Sequence, residues 1–125
     1  LLSRYGKPLA READGSFLLE PGRFVLGITR ETVTLPRRAR IAARVEGRST
    51  LARLGLVVHL TAPTVHAGFD GKIVLEMFSF GKYTLKLVPG KLAICQLIFE
   101  DVRGAPGIDV KTKYQGQRSI RKSRR

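Results

Sequence analysis

Cysteine is nearly missing from this chain of 125 residues, with Cys95 the sole example. One thiol excludes an internal disulfide framework and any multi-cysteine metal site, and it suits a reducing compartment, so a cytoplasmic protein is expected. Histidine is almost as scarce. His59 and His66 are the only two, and no C-x-x-C or H-x-E pair occurs anywhere. Zinc-dependent hydrolases hold their metal through such spacings, so neither zinc nor any other protein-bound metal centre is expected. A Gly-rich phosphate loop closing on Lys-Ser/Thr and a G-x-S-x-G nucleophile turn are absent too. Catalysis, if present, is left to carboxylates, hydroxyls and arginines. Long apolar runs are also lacking. The longest, Leu54 to Leu60 and Ile94 to Phe99, fall far below the roughly 20 residues that cross a bilayer, so no membrane partner is expected. No secretory leader opens the chain. It begins Leu1-Leu2 rather than with Met, which raises the expectation of an alternative start, processing or an upstream segment.

Acidic residues are the remaining shortage: 10 Asp and Glu face 23 Lys and Arg, for a net charge of +13 and a pI near 10.9. Polyanions are therefore the favoured partners, either nucleic acid or nucleotide phosphates. The charge is uneven, since Lys111, Lys113, Arg118, Arg121, Lys122, Arg124 and Arg125 crowd the C-terminal end. Residues 118–125 read as a basic, solvated tail, with a nucleic-acid arm or a phosphate lid as functional alternatives. Only nine Phe and Tyr residues are present. Most fall inside strand patterns instead of forming an exposed stacking platform, which weakens the case for a non-enzymatic nucleic-acid-binding β-barrel.

What is abundant is short β-rich runs separated by turn signals, the pattern of an all-β sandwich or barrel. Candidate strands are Arg23–Thr29, Ala39–Glu46, Leu56–Leu60, Lys72–Ser79, Tyr83–Leu87 and Leu92–Phe99, punctuated by Pro21-Gly22, Gly47, Gly68, Gly71, Gly81 and Pro89-Gly90. One short helix is expected between them, with Ser49 as N-cap, Leu51, Ala52 and Leu54 as formers, and Gly55 as the stop. Residues 1–117 fit a single domain, and a chain of this size buries about 65–70% of its unfolded surface, so oligomerisation would add useful burial.

Two local patterns carry chemistry. In Lys72-Ile-Val-Leu-Glu76-Met-Phe78, alternation puts Ile73, Leu75 and Met77 on one face and Val74, Glu76 and Phe78 on the other. A carboxylate between Val74 and Phe78 is expected to be partly desolvated and suited to proton exchange near neutral pH, unless the strand is a solvent-facing edge. In Glu46-Gly-Arg-Ser-Thr-Leu-Ala-Arg-Leu-Gly55, Arg48 and Ser49 open the short helix, where main-chain N–H groups favour anions. Arg53 lies four residues after Ser49 on the same helical face. A cap and a surface charge are the plain alternatives there.

These stretches occur in order with Leu19-Glu-Pro-Gly-Arg-Phe-Val-Leu-Gly27, Val58-His-Leu-Thr-Ala62, Gly68-Phe-Asp-Gly71, Pro89-Gly-Lys-Leu-Ala-Ile-Cys-Gln-Leu97 and Lys113-Tyr-Gln-Gly-Gln117. Together they resemble the dCTP deaminase family of the trimeric dUTPase-like superfamily, over roughly residues 17–117. The resemblance implies a distorted, jelly-roll-like β-barrel that forms a homotrimer, with active sites at subunit boundaries. It implies zinc-independent hydrolysis of dCTP to dUTP and ammonia, supplying dUTP for dTTP synthesis. Glu76 falls on the family's general acid-base. Ser49, Arg53 and the carbonyl of Ala62 fall on groups that hold the water and the tetrahedral centre, and Arg48 on a phosphate contact. Thr50, Leu51, Ala52, His66, Val74, Leu75, Gln96, Lys113 and Gln117 match further nucleotide-contacting positions. Mg²⁺ is implied with the triphosphate, and dTTP as inhibitor. His66 stands where dUTPases and bifunctional members place an aspartate, so deamination without dUTPase activity is expected, with the dUMP-forming reaction as the alternative. The loop Asp101–Val110 lacks a tyrosine that many members place near the phosphates. Only eighteen residues precede the Leu19 block, where members usually carry several tens.

Overall fold

The computed structural model describes residues 6–104 and 116–120. Ten strands form antiparallel ladders: β1 (Phe17–Leu19), β2 (Phe24–Ile28), β3 (Val33–Thr34), β4 (Ile41–Gly47), β5 (Leu56–Val57), β6 (Thr64–Val65), β7 (Asp70–Gly71), β8 (Val74–Ser79), β9 (Leu85–Leu87) and β10 (Cys95–Asp101). A single four-residue helix, α1 (Ser49–Ala52), interrupts them, and Arg37–Ala39 makes one 3-10 turn. All-β with one short helix therefore holds.

The barrel does not appear as a closed ring among the described residues. The strands group as β1-β9, β10-β4-β6, β2-β8-β5 and β3-β7. Four small sheets wrap one core of Leu19, Leu35, Ala43, Val45, Leu56, Val58, Val65, Leu75, Met77, Leu85 and Leu87. Several strands are only two residues long, too short to carry a ladder around a full circuit.

Pro-Gly turns set the strand entries. Pro21-Gly22 puts Gly22 at φ +71, with Arg23 N–H donating to the Glu20 carbonyl at 3.2 Å. Pro89-Gly90 repeats the device, with Gly90 at φ +77 and Lys91 N–H on the Val88 carbonyl at 3.1 Å. Pro at the second position and Gly with positive φ at the third is the type II arrangement.

The start of α1 differs from expectation. Arg48, extended at φ −101 and ψ 132, is the N-cap, and no side chain caps the helix. Ser49 is already helical, so its hydroxyl is one position too late to act as the cap. At four residues α1 also aligns too few peptide dipoles for a strong field at its start, so any anion attraction there rests on the arginines. Gly55 does end the segment, at φ +93. Its carbonyl accepts the Phe80 N–H at 2.9 Å, which ties the helix exit to the end of β8.

The β10 strand pairs with β4 along seven residues, from Cys95↔Gly47 to Asp101↔Ile41. It is the terminal strand of its sheet. Ile98 and Phe99 are exposed on it, Phe99 at 60%. Among the described residues no helix is long and apolar enough to cross a membrane.

Candidate active site

Strand β8 lies between β2 and β5 and alternates as its sequence predicts: Leu75, Met77 and Ser79 are buried, while Val74, Glu76 and Phe78 are half-buried on the other face. Register places Leu26 directly across from Glu76, and Phe24 and Val57 across from Phe78. Phe78 in turn meets Phe80, ring centroids 4.5 Å apart. Glu76 is thus a carboxylate set among apolar side chains on an outward face, the central strand's position excluding the edge-strand alternative. One oxygen, Oε2, accepts the main-chain N–H of Leu60 at 3.4 Å. That contact draws the loop after β5 to the carboxylate and brings Ala62, exposed two residues further on, into its neighbourhood.

A second group forms where β4 runs into α1. Gln96, opposite Glu46 in the β4–β10 ladder, donates its amide to the Gly47 carbonyl at 3.3 Å. This sets Gln96 beside Arg48 and Ser49. Arg53 closes α1, its N–H on the Ser49 carbonyl at 3.0 Å. Arg48, Ser49, Thr50, Ala52 and Arg53 are exposed, and Leu51 is half-buried against the core. Neither Arg48 nor Arg53 has an ion-pair partner among the described residues, whereas Arg44 is occupied by Glu46 at 2.8 Å and Glu100 at 2.9 Å. Two free guanidinium groups on an exposed turn suit a phosphate chain.

The remaining expected positions are distributed as follows. Exposed His66 sits in a turn closed by Phe69 N–H on its carbonyl at 3.1 Å. Leu75 is buried in the core, so only its main chain is open to a ligand. Gln117 is docked by its main chain, the carbonyl accepting the Lys72 N–H at 2.7 Å. Lys113 lies outside the described residues. Among the described residues, no hydrogen bond or ion pair joins Glu76 to Ser49 or Arg53. The proton-carrying group and the anion-binding group therefore occupy separate parts of one chain.

Leu60 and Asp70 went unnoticed as candidates. Leu60 acts through a main-chain N–H, which no side-chain motif reveals. Asp70 accepts from Thr34 Oγ1 at 2.8 Å and from Arg118 Nη2 at 3.0 Å, and these donors hold its carboxyl below the usual range, Thr34 contributing most. His59, next to Leu60, keeps Nδ1 buried without a hydrogen-bond partner among the described residues.

Comparison with solved structures identifies the class. Crystalline 2'-deoxycytidine 5'-triphosphate deaminase from Agrobacterium tumefaciens superposes with a TM-score of 0.67 at 25% identity, over 80% of this chain and 30% of that one. Native EIAV dUTPase superposes with a TM-score of 0.59 at 20% identity over 78% of each chain, a likeness of fold. The architecture is dUTPase-like. A family model described as dCTP deaminase-like matches residues 5–102, and the chain belongs to that family. It is 40% identical over 121 residues to "dCTP deaminase, dUMP-forming" of Methanosphaera stadtmanae, covering 93% of this chain and 60% of that protein. It is 52% identical over 85 residues to the dCTP deaminase of Rhodospirillum rubrum, covering 68% of this chain and 42% of that protein. The chain therefore spans 60% or less of these two relatives' length.

Proposed function

We propose that the protein deaminates dCTP hydrolytically to dUTP and ammonia, with Glu76 as the proton carrier. The observation that carries this reading is the single carboxylate on the outward apolar face of β8. Water gives a proton to Glu76 and its hydroxide adds to C4 of cytosine, while Glu76 passes the proton to the ring nitrogen N3. The tetrahedral centre then expels ammonia, the hydroxyl proton returning through Glu76 to the leaving amine, so one water is consumed per amine released. Such general acid-base transfer contributes about 10² to 10⁴ in rate. Ser49, Arg53 and the Ala62 carbonyl hold the water and the developing oxyanion.

Arg48 and Arg53 supply charge for the triphosphate, and Gln96, His66 and Gln117 fix base and sugar. No three His, Cys, Asp or Glu side chains gather into a metal-holding group among the described residues. This fits an Mg²⁺ carried by phosphate oxygens and water, where it neutralises phosphate charge, and it leaves water activation to Glu76 instead of zinc. Separation of Glu76 from the Ser49–Arg53 group within one chain supports sites completed between copies, as a homotrimer provides. dTTP, sharing the sugar and triphosphate, is the expected inhibitor, and a cytoplasmic nucleotide pool the expected setting.

The test is turnover of dCTP with Mg²⁺, scored as dUTP and ammonia, alongside the assembled mass. Glu76→Gln is expected to lose at least about 10²-fold in kcat with unchanged fold and assembly. Wild-type turnover in Glu76→Gln would overturn the assignment. The dUMP-forming alternative is favoured by the name of the Methanosphaera relative and opposed by His66 at the dUTPase aspartate position. Supplying dUTP and measuring pyrophosphate decides between them, and none is expected.

A further inference from the structure

The C-terminal segment 116–120 does not trail away from the body. Gly116 N–H donates to the Asp70 carbonyl at 2.7 Å, and the Gln117 carbonyl accepts Lys72 N–H at 2.7 Å. These bonds bracket Gly71, where an added Cβ would stand 3.0 Å from the Gln117 carbonyl oxygen and 3.1 Å from its nitrogen. Main chain lies on main chain there, and only glycine permits it. Asp70 adds its side chain to the joint: Thr34 Oγ1 donates to Oδ1 at 2.8 Å, and Arg118 Nη2 meets Oδ2 at 3.0 Å. Thr34 faces Asp70 across the β3–β7 ladder, so the threonine fixes one carboxylate oxygen while the other is presented to Arg118. The segment that receives Gln117 runs through Lys72 and Ile73 directly into β8, where Glu76 resides. Ile73 is itself anchored, its N–H on Thr29 Oγ1 at 3.0 Å and its carbonyl on Thr29 N–H at 2.9 Å.

We propose that Asp70 and Arg118 are positioning residues for the nucleotide: their ion pair clamps the residue after Gln117 and so fixes the Gln117 amide relative to the Glu76 strand. This rests on the reading of Gln117 as a nucleotide contact. Arg118 thereby belongs to the working part of the chain and not to a free basic tail. An exposed carboxylate–guanidinium pair contributes about 0.2–1 kcal/mol, which is about 1.4- to 5-fold in the docked population. Arg118→Ala and Asp70→Asn are each expected to raise KM for dCTP by about that factor with kcat changing less. The double variant is expected to match the more affected single one, because both remove the same interaction.

The measurement uses the assembled full chain and two readouts. Amide exchange at Gly116 and Lys72, without nucleotide, is expected to quicken in Arg118→Ala and in Asp70→Asn. Unchanged exchange would overturn the clamp. Kinetics in a Gln117→Ala background give the second readout, where Arg118→Ala is expected to add nothing to KM. A further KM increase there, or additive effects of Arg118→Ala and Asp70→Asn, would overturn positioning through Gln117 and assign Arg118 a direct contact with the triphosphate. If Gln117→Ala alone leaves kcat/KM at the wild-type value, the reading of Gln117 as a nucleotide contact is the part that falls, and the exchange result still judges the clamp.

Discussion

Substituting Gly55 with alanine tests the joint between α1 and β8. Gly55 and Gly81 meet backbone to backbone: a Cβ on Gly55 would stand 2.5 Å from Gly81 Cα and 3.0 Å from the Phe80 carbonyl carbon, and one on Gly81 would overlap the Leu54 carbonyl. No flexible side chain is present to yield. Moving the first of these contacts from 2.5 Å to an ordinary 3.4 Å requires the two turns to part by about 0.9 Å. The Phe80 N–H to Gly55 carbonyl bond, 2.9 Å in the native chain, would stretch past useful length. That loss costs about 0.5–1.5 kcal/mol and the overpacking about 1–3 kcal/mol. Gly55→Ala adds about 1–2 kcal/mol for a side chain at φ +93. Gly81→Ala lacks the dihedral penalty. We expect about 2–4 kcal/mol for Gly81→Ala and somewhat more for Gly55→Ala. In thermal unfolding by circular dichroism, at matched protein concentration, this corresponds to a fall in Tm of roughly 6–15 °C. The double variant should cost less than the sum, since the turns part only once. A Tm within about 2 °C of wild type for Gly81→Ala, or strict additivity, would refute the reasoning.

Two further outcomes follow from charged and thiol groups. The Lys86 ammonium, 2.6 Å from Asp14, together with Ser16, holds the Asp14 carboxyl well below the usual carboxylate range. A depressed carboxyl stabilises fully above its unfolded pKa and loses that contribution as pH falls toward the folded value. Asp14→Asn should therefore flatten the decline of Tm between pH 5 and pH 2, and an identical decline in both proteins would count against the pair. Burial, and then the charge of Glu31, push the Cys95 thiol upward, so iodoacetamide at pH 8 should react more slowly with the folded chain than with the chain in urea. Equal rates would reject a shielded thiol.

The strands β2, β4, β8, β9 and β10 were legible because each carries its own apolar run and sits beside a turn signal. β8 was read correctly down to which residues face inward. β3, β6 and β7 were not legible: each is two residues long and exists only because a distant partner pairs with it, Thr34 with Asp70 for example. The same distance hid the role of Asp70, whose Arg118 partner is 48 positions away. The stop at Gly55 was visible because positive φ is a property of the residue, whereas the start was misplaced by one because Arg48 caps only with its backbone. The closed barrel came from resemblance to a family, and the ladders among the described residues fall into four sheets instead.

One side of β10 has a consequence for handling the protein. A seven-residue strand whose outer rim carries no partner among the described residues, with Ile98 and Phe99 beside it, is a template onto which another chain can stack. The surplus of +13 supplies mutual repulsion that keeps identical chains from stacking at random, and salt at 0.15 M already confines that repulsion to about 8 Å. Concentrated stocks should therefore stay clearest at low ionic strength and turn cloudy as salt is raised, the reverse of ordinary salting-in.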